Sequence, residues 1–183
     1  MDKQNLLHSL EGGKHCSTNE ALMAAARVLE DPECFTDLFK GLSHERSLVR
    51  MRSAYAVSLV ADVRPDLLQP LKNDFFDRLA APDNSHLARA CMIKTLPHLQ
   101  LSKDDIGLIK DMLLDFLHSN SSIVKTFSLQ LLADFADHHP DMRSEVMPLL
   151  WDAVENGTPA MRARARKLLK GFSLPLSPSR QTA

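Results

Sequence analysis

Apolar residues recur along this chain at intervals of about 37 positions, and each recurrence has the spacing of one helix face. Phe39, Phe76, Leu113 and Leu150 each lie 37 residues apart. An apolar residue precedes each of them, and another follows three residues later. Apolar positions at i, i+1 and i+4 form one stripe of a helix. The pattern therefore predicts four equivalent helices, which we call the A helices.

A second apolar set follows each A helix and predicts a second helix, the B helix. It begins at Val49, Leu87, Val124 and Met161. Small residues follow four positions later, at Ser53, Cys91, Ser128 and Ala165. Small side chains allow two helix backbones to approach closely, while larger neighbours fill the groove. Each repeat is therefore predicted to be a pair of packed helices.

Helix boundaries follow from the ends of the apolar stripes and from the polar turns between them. We predict A helices at 32–42, 66–80, 103–118 and 141–155, and B helices at 46–62, 85–98, 122–137 and 159–172. A helix at about 18–30, opened by a capping box of Ser17 and Glu20, and a short helix near 3–10 precede them. No alternating pattern of β-branched residues predicts a strand.

The last turn between paired helices has the clearest capping signals. Gly157 is predicted to take the left-handed conformation that ends a helix, Thr158 to cap the next helix, and Pro159 to occupy its first position. Ser102 is predicted to cap the third A helix, with acidic residues in the first turn.

These elements predict an all-α chain with three parts. Residues 1–31 form N-terminal capping helices, and residues 32–172 form four repeats. The repeats span about 32–63, 65–99, 103–138 and 140–172. The segment 173–183, with two prolines and three serines, is predicted to be a disordered tail.

Composition agrees with a folded, soluble chain and suggests no special compartment. Apolar residues make up 44% and charged residues 25%, which is typical of globular proteins. The three cysteines are widely spaced, so neither a zinc knuckle nor a disulfide framework is indicated. No signal peptide or membrane-length apolar stretch is present. We therefore expect a cytoplasmic protein.

Two turn sequences carry a family resemblance. The stretches ending in Val49-Arg50 and Val124-Lys125, each followed by a small residue and an apolar stripe, resemble HEAT repeats, which are armadillo-like. The segments 121–127 and 157–169 are similar to small bacterial HEAT-repeat proteins without an assigned activity. The resemblance implies a right-handed α-α superhelix, an α-solenoid whose B helices line the concave surface. Ala88 falls where the basic residue of that pattern is expected, which would break the basic ladder in the second repeat.

The last predicted helix is the strongest candidate for a binding site. Residues 158–183 hold six Lys and Arg and no acid, although the net charge is only −1. The candidate residues are Arg162, Arg164, Arg166, Lys167 and Lys170. They could contact an acidic peptide or phosphates. The alternative is a solvated outer face of a terminal repeat, with late basic residues that complement the helix dipole.

A second candidate is a partial basic row at equivalent B-helix positions, formed by Arg50, Lys125 and Arg162, with Arg89 nearby. For Arg50 and Lys125 we favour a ladder of bonds to acids or turn carbonyls of the next repeat, which would order the stack. Trp151 lies one residue beyond the apolar stripe. It is either an exposed anchor for a partner or a residue packed at a helix edge.

Sequence motifs for catalysis and for metal binding are lacking. The eight histidines show no pairing at metal-ligand spacing, and no nucleophile motif or P-loop is present. No cofactor is expected. Some HEAT-like proteins are DNA glycosylases, but those use aromatic residues and a carboxylate on the concave face, and aromatic residues make up only 5% here.

We therefore expect a non-catalytic scaffold for protein–protein interaction, binding an extended or acidic protein partner on the concave B-helix surface. The first alternative is nucleic-acid binding through the basic C-terminal helix, and the second is a glycosylase-like enzyme. Self-association through the apolar helix around 21–26 would give a weak homodimer in place of a monomer. No membrane association is predicted.

Overall fold

A computed structural model describes residues 6–12 and 18–172, and these are helical with short connections. No β-strand occurs within these two ranges, so the all-α prediction is confirmed for them. Ser17 of the predicted capping box and the whole of the predicted tail lie outside the described residues.

The helices begin and end close to the predicted boundaries. They are α1 (Leu6–Glu11), α2 (Asn19–Glu30), α3 (Phe35–Lys40), α4 (Ser47–Val63), α5 (Pro65–Leu68), α6 (Lys72–Ala80), α7 (His86–Thr95), α8 (Lys103–Phe116), α9 (Ser122–His138), α10 (Arg143–Asn156) and α11 (Pro159–Phe172). Short 3-10 segments flank several of them, at Pro32–Cys34, Gly41–Ser43, Gln69–Leu71, Leu96–His98 and Pro140–Met142. Four of these five segments contain a proline, which lacks the backbone N–H needed to continue a regular helix.

The chain divides into two compact units, Met1–Asp105 and Ile106–Ala183. In the first unit α4 is the central helix and packs against both α2 and α7. Its buried residues include Val49, Val57 and Val60, all fully inaccessible to solvent. Arg52 is buried among them, where it donates hydrogen bonds to the carbonyls of Leu10, at 2.7 Å, and Gly12. Arg52 thereby ties the end of α1 to α4.

In the second unit α9 and α10 each pack against α11. The small residues predicted to sit at the helix contact, Ser128 on α9 and Ala165 on α11, are both fully buried. Leu132 and Leu169 lie four residues further along and are also buried. The apolar stripe of the B helices is therefore confirmed in this unit, and it brings α9 and α11 together side by side.

In the second repeat the predicted register of the B helix is wrong by one residue. Leu87 was expected to open the apolar stripe, yet it is 53% exposed, whereas Ala88 is buried. Met92 and Leu99 are buried in turn, where Cys91 and His98 were predicted. Thr95, which the same pattern places on the stripe, is fully buried as predicted, so the displacement applies to Leu87, Cys91 and His98.

The capping predictions have a mixed outcome. Thr158 caps α11, accepting a hydrogen bond from the Met161 N–H at 3.4 Å, and Ser102 caps α8 at Asp105 N at 3.2 Å. Gly157, however, is extended, with φ −71° and ψ 166°, so the predicted left-handed conformation is wrong. Glycine is required there for space, because a Cβ would collide with the carbonyl of Ala153 and lie 2.9 Å from Met161 Cβ.

Candidate functional site

The basic residues proposed from the sequence separate into two groups once their contacts are known. Arg50 belongs to the first group, since only 8% of it is exposed. Its Nη1 donates to the carbonyls of His44 and Glu45 at 2.7 and 2.8 Å, and its Nη2 donates to the carbonyl of Asp83 at 2.7 Å. Arg50 thus links the turn before α4 to the turn before α7. It makes the ladder bonds favoured above, and its guanidinium is not available to a partner.

Arg89 makes a similar set of bonds in the second repeat. Its Nη2 donates to the carbonyl of Ala81 at 2.7 Å, and its Nε to the carbonyl of Leu79 at 3.4 Å. Desolvation by burial lowers the pKa of this guanidinium, although the nearby charge of Asp83 opposes the shift. Both acceptors lie in the second repeat itself, so these two bonds do not reach the next repeat as the Arg50 bond to Asp83 does. The interruption of the basic ladder at Ala88 therefore stays a prediction.

Lys125 and Arg162 belong to the second group. They occupy equivalent positions on α9 and α11, and both are half-buried. Neither side chain forms a hydrogen bond or ion pair with any described residue. The turns are joined instead by Ser122 and Thr158, whose hydroxyl oxygens lie 2.6 Å apart. The ladder interpretation is therefore wrong for Lys125, because a hydroxyl pair performs that role.

The outer surface of α11 carries three further cations whose side chains also lack a bonding partner among the described residues. Arg166, Lys167 and Lys170 are exposed and make no bond to any residue that the structure describes. Together with Arg162 they form what we call the α11 basic face. None of these four charges has a partner among the described residues that would reduce its attraction for an anionic ligand. The α11 basic face is therefore the main group of unpaired cations among the candidate residues predicted from the sequence.

A cleft of about 380 Å³ opens beside this face, between α9 and α11. We call it the α9–α11 cleft. Its lining residues are Gln130, Ala133, Asp134, Asp137, Arg164, Lys167, Leu168, Gly171 and Phe172. The α9 wall carries two carboxylates one turn apart, and the α11 wall carries two cations one turn apart. Ala133 and Leu168 supply apolar surface between the two walls.

A chain of hydrogen bonds crosses the cleft. Arg164 Nη1 donates to Gln130 Oε1 at 2.9 Å, and Gln130 Nε2 donates to Asp134 Oδ1 at 2.6 Å. Arg164 is therefore occupied by an amide and does not pair with Asp134 directly. Partial burial raises the pKa of the Asp134 carboxyl group, and the hydrogen bond from Gln130 only partly offsets this. The hydrogen bond from Gln130 thus stabilises the negative charge of Asp134 only in part.

Arg143 contacts two of the residues that line the cleft, Asp137 and Phe172. Its Nε donates to the carbonyl of Ala136 at 3.1 Å, and its Nη2 lies 3.4 Å from Asp137 Oδ1. The guanidinium carbon also lies 5.5 Å from the centre of the Phe172 ring. This contact is within the range of a cation–π interaction. One ring face of Phe172 is therefore already covered.

Trp151 lies on α10 and is 55% exposed. It lines neither the α9–α11 cleft nor the separate recess of about 220 Å³ that contains its neighbours Leu149 and Asp152. The structure thus places it as an exposed side chain apart from the basic residues.

The described part of the chain offers no evidence for a metal site or for a reactive cysteine. No group of three or more His, Cys, Asp or Glu residues there has the geometry to hold a metal ion. Burial raises the pKa of both Cys34 and Cys91. A raised pKa reduces the thiolate fraction, so neither cysteine has the properties of a nucleophile.

Sequence reasoning missed the acidic wall of the cleft. Gln130, Asp134 and Asp137 lie on the exposed side of α9 and form no motif by themselves. Their connection to Arg164 requires the packing of α9 against α11. The available signal was the separation of 34 residues between Gln130 and Arg164, close to the repeat length, which places polar residues on adjacent B helices near each other.

No helix within the described ranges is long and apolar enough to span a membrane. Comparison with protein-family models, with curated proteins and with solved structures found no match to this chain.

Proposed function

We propose that this chain is a non-catalytic, HEAT-like scaffold that binds an acidic, extended segment of another protein along the B helices of its second unit. The observation that carries the proposal is the α11 basic face. The side chains of its four cations form no hydrogen bond or ion pair with a described residue, whereas Arg50 and Arg89 of the first unit donate to turn carbonyls. Cations without such a partner are available to an anionic ligand.

The packing of the helices supports a stacked arrangement as part of this proposal. Consecutive B helices pack directly on one another within each unit, α4 on α7 and α9 on α11. This is the contact expected when helical pairs stack and seal one another's apolar faces. A right-handed superhelix of four pairs would present equivalent B-helix positions in a row, which suits an extended peptide.

The cleft favours a protein over a nucleic acid as the partner. Asp134 and Asp137 lie across from Arg164 and Lys167, so a phosphate backbone following α11 would meet two carboxylates at this point. A polypeptide can place neutral or basic side chains there. The cleft also offers little surface for base stacking, because Phe172 is the single aromatic residue among its lining residues and Arg143 already covers one face of its ring. A glycosylase-like activity therefore finds little support.

A binding assay with defined probes tests the proposal. Three fluorescent probes of similar charge are compared: a glutamate-rich peptide of about twelve residues, a duplex DNA and a single-stranded RNA. The binding of each probe is measured at about 50 and about 300 mM salt. We expect the peptide to bind more tightly than either nucleic acid at the higher salt concentration. Steeply salt-dependent binding of DNA or RNA, tighter than that of the peptide, would instead establish the nucleic-acid alternative.

Matched variants locate the binding surface. Arg166→Gln removes an exposed cation from the α11 basic face, and Lys103→Gln removes an exposed, unpartnered cation at the start of α8. An exposed charge contact contributes up to about 1 kcal/mol, so Arg166→Gln should weaken peptide binding about threefold to fivefold. Lys103→Gln should leave it unchanged. Equal effects of the two substitutions would show that only the net charge matters and would refute a specific site.

A further inference from the structure

Asp134 in the α9–α11 cleft lacks a cation, although two cations line the opposite wall. Arg164 is held by Gln130 Oε1 at 2.9 Å, and Lys167 is exposed at the rim. Neither forms an ion pair with Asp134, and neither does any other described residue. Asp137, the second carboxylate of the wall, is engaged by Arg143 at 3.4 Å. Asp134 is therefore a half-buried carboxylate whose negative charge is not neutralised by an ion pair with any described residue.

The remaining space fits a long side chain that ends in a positive charge. The cleft has a volume of about 380 Å³, which is at the lower end of the range for small-ligand sites and suits one or two side chains. Ala133 and Leu168 offer apolar surface to a methylene chain, and lysine typically buries its methylene chain while its ammonium group reaches a polar partner. The Asp134 carboxylate lies at the polar end of such a path.

We propose that the α9–α11 cleft binds one lysine side chain of the partner segment, with its ammonium group donating to the Asp134 carboxylate. The proposal rests on the proposed function for the identity of the partner as a protein. It adds that the segment carries a basic residue among its acidic ones. The α11 basic face would bind the acidic residues, and the cleft would fix the position of the segment through its lysine.

Three charged or titratable groups lie near the Asp134 carboxylate. His138 and Asp137 lie one turn further along α9, and Arg164 lies on α11. Arg164 repels an incoming ammonium group, but its guanidinium is directed to the Gln130 oxygen at 2.9 Å. Gln130 in turn donates to Asp134 Oδ1. The second carboxylate oxygen of Asp134 makes no hydrogen bond to any described residue and is therefore the acceptor available to the lysine.

The first test uses small probes that do not depend on an acidic partner. N-acetyl-lysine methylamide and its norleucine analogue, which lacks the charge, are titrated to millimolar concentration into the ¹⁵N-labelled full chain. The reporter is the side-chain amide of Gln130, identified by its loss in Gln130→Glu. We expect the lysine probe, and not the norleucine probe, to shift this resonance. Asp134→Asn should abolish the difference, whereas Asp111→Asn, at an exposed acid on α8 whose side chain forms no hydrogen bond or ion pair with a described residue, should retain it.

The second test uses two glutamate-rich peptides that differ only in one lysine or norleucine, scanned along the segment. A charge-assisted bond should make the best lysine peptide about tenfold tighter, which corresponds to about 1.4 kcal/mol, and Asp134→Asn should remove this advantage. Equal shifts and equal affinities for lysine and norleucine, or a lysine advantage that survives Asp134→Asn, would overturn the inference. If neither peptide binds but the lysine probe still shifts Gln130, the cleft assignment stands and the proposed function fails.

Discussion

Arg50→Met offers a direct measure of how much one buried arginine contributes to the stability of the first unit. The substitution keeps most of the side-chain length and removes the guanidinium group. Arg50 donates three short hydrogen bonds to the carbonyls of His44, Glu45 and Asp83, and its Nε lies 3.5 Å from Asp83 Oδ2. All of these interactions would be lost together, and they join two successive turns.

The expected loss follows from the number and type of bonds. A hydrogen bond from a charged donor contributes about 1.5 kcal/mol or more. At the lower end of that range, three such bonds together contribute about 4.5 kcal/mol. Methionine retains the packing of the methylene chain, and Asp83 is exposed enough for water to replace part of the loss. We therefore expect Arg50→Met to lower the free energy of unfolding by about 3 kcal/mol.

The control is Lys125→Met, at the equivalent position of the third repeat. Because Lys125 bonds to no described residue, this substitution should change the free energy of unfolding by less than about 0.5 kcal/mol. Urea unfolding followed by far-ultraviolet circular dichroism measures both variants. A chain of this length should lose about 6–12 °C in melting temperature with Arg50→Met. A loss below about 1 kcal/mol, or equal losses in the two variants, would refute the structural role assigned to Arg50.

Two further predictions concern Asp105 and Gly157. The hydrogen bond from Lys72 at 2.6 Å lowers the pKa of Asp105, so its contribution to stability is present above the unfolded pKa, near about 3.9, and is lost as the pH falls through the lower folded value. Urea titrations between about pH 5 and 3 should show a shallower loss in Asp105→Asn than in the wild type, and parallel curves would contradict the ion pair. Gly157→Ala should cost about 1–3 kcal/mol because the added Cβ meets the Ala153 carbonyl. The control is Gly107→Ala, where an added Cβ meets nothing within 4 Å. This substitution should stabilise α8 by up to about 1 kcal/mol in thermal unfolding. A similar effect of both substitutions would contradict the steric role assigned to Gly157.

The positions of the helices along the chain could be predicted because the same apolar spacing recurs four times. Ser128 and Ala165 are buried as predicted, since small residues at a repeated position report a helix contact even without coordinates. The displacement of α7 could not be predicted in the same way. Leu87 is as apolar as Val49, so the apolar pattern alone does not show whether Leu87 or Ala88 reaches the core.

The candidate site could be located from the sequence where charge alone was sufficient, and its role in binding stays a prediction. The cations of the α11 basic face were identified because residues 158–183 contain no acid. Arg50 and Lys125 occupy equivalent positions in their repeats, so the sequence could not show that their roles differ. It does not reveal which turn carbonyls lie within reach of each side chain. Asp134 was missed for a related reason, since its importance comes from partial burial and from the bond that Gln130 makes to it.

The two units use equivalent B-helix positions in different ways, and this difference bears on how binding should be measured. In the first unit Arg50 and Arg89 are bonded to turn carbonyls, so substitutions there will weaken any binding through loss of the fold. In the second unit the hydroxyl pair of Ser122 and Thr158 connects the turns, and Arg162 bonds to no described residue. Stability and charge are therefore carried by different residues in that unit. A binding defect caused by Arg162→Gln without a change in melting temperature would consequently report the surface itself, whereas the same defect at Arg50 would not.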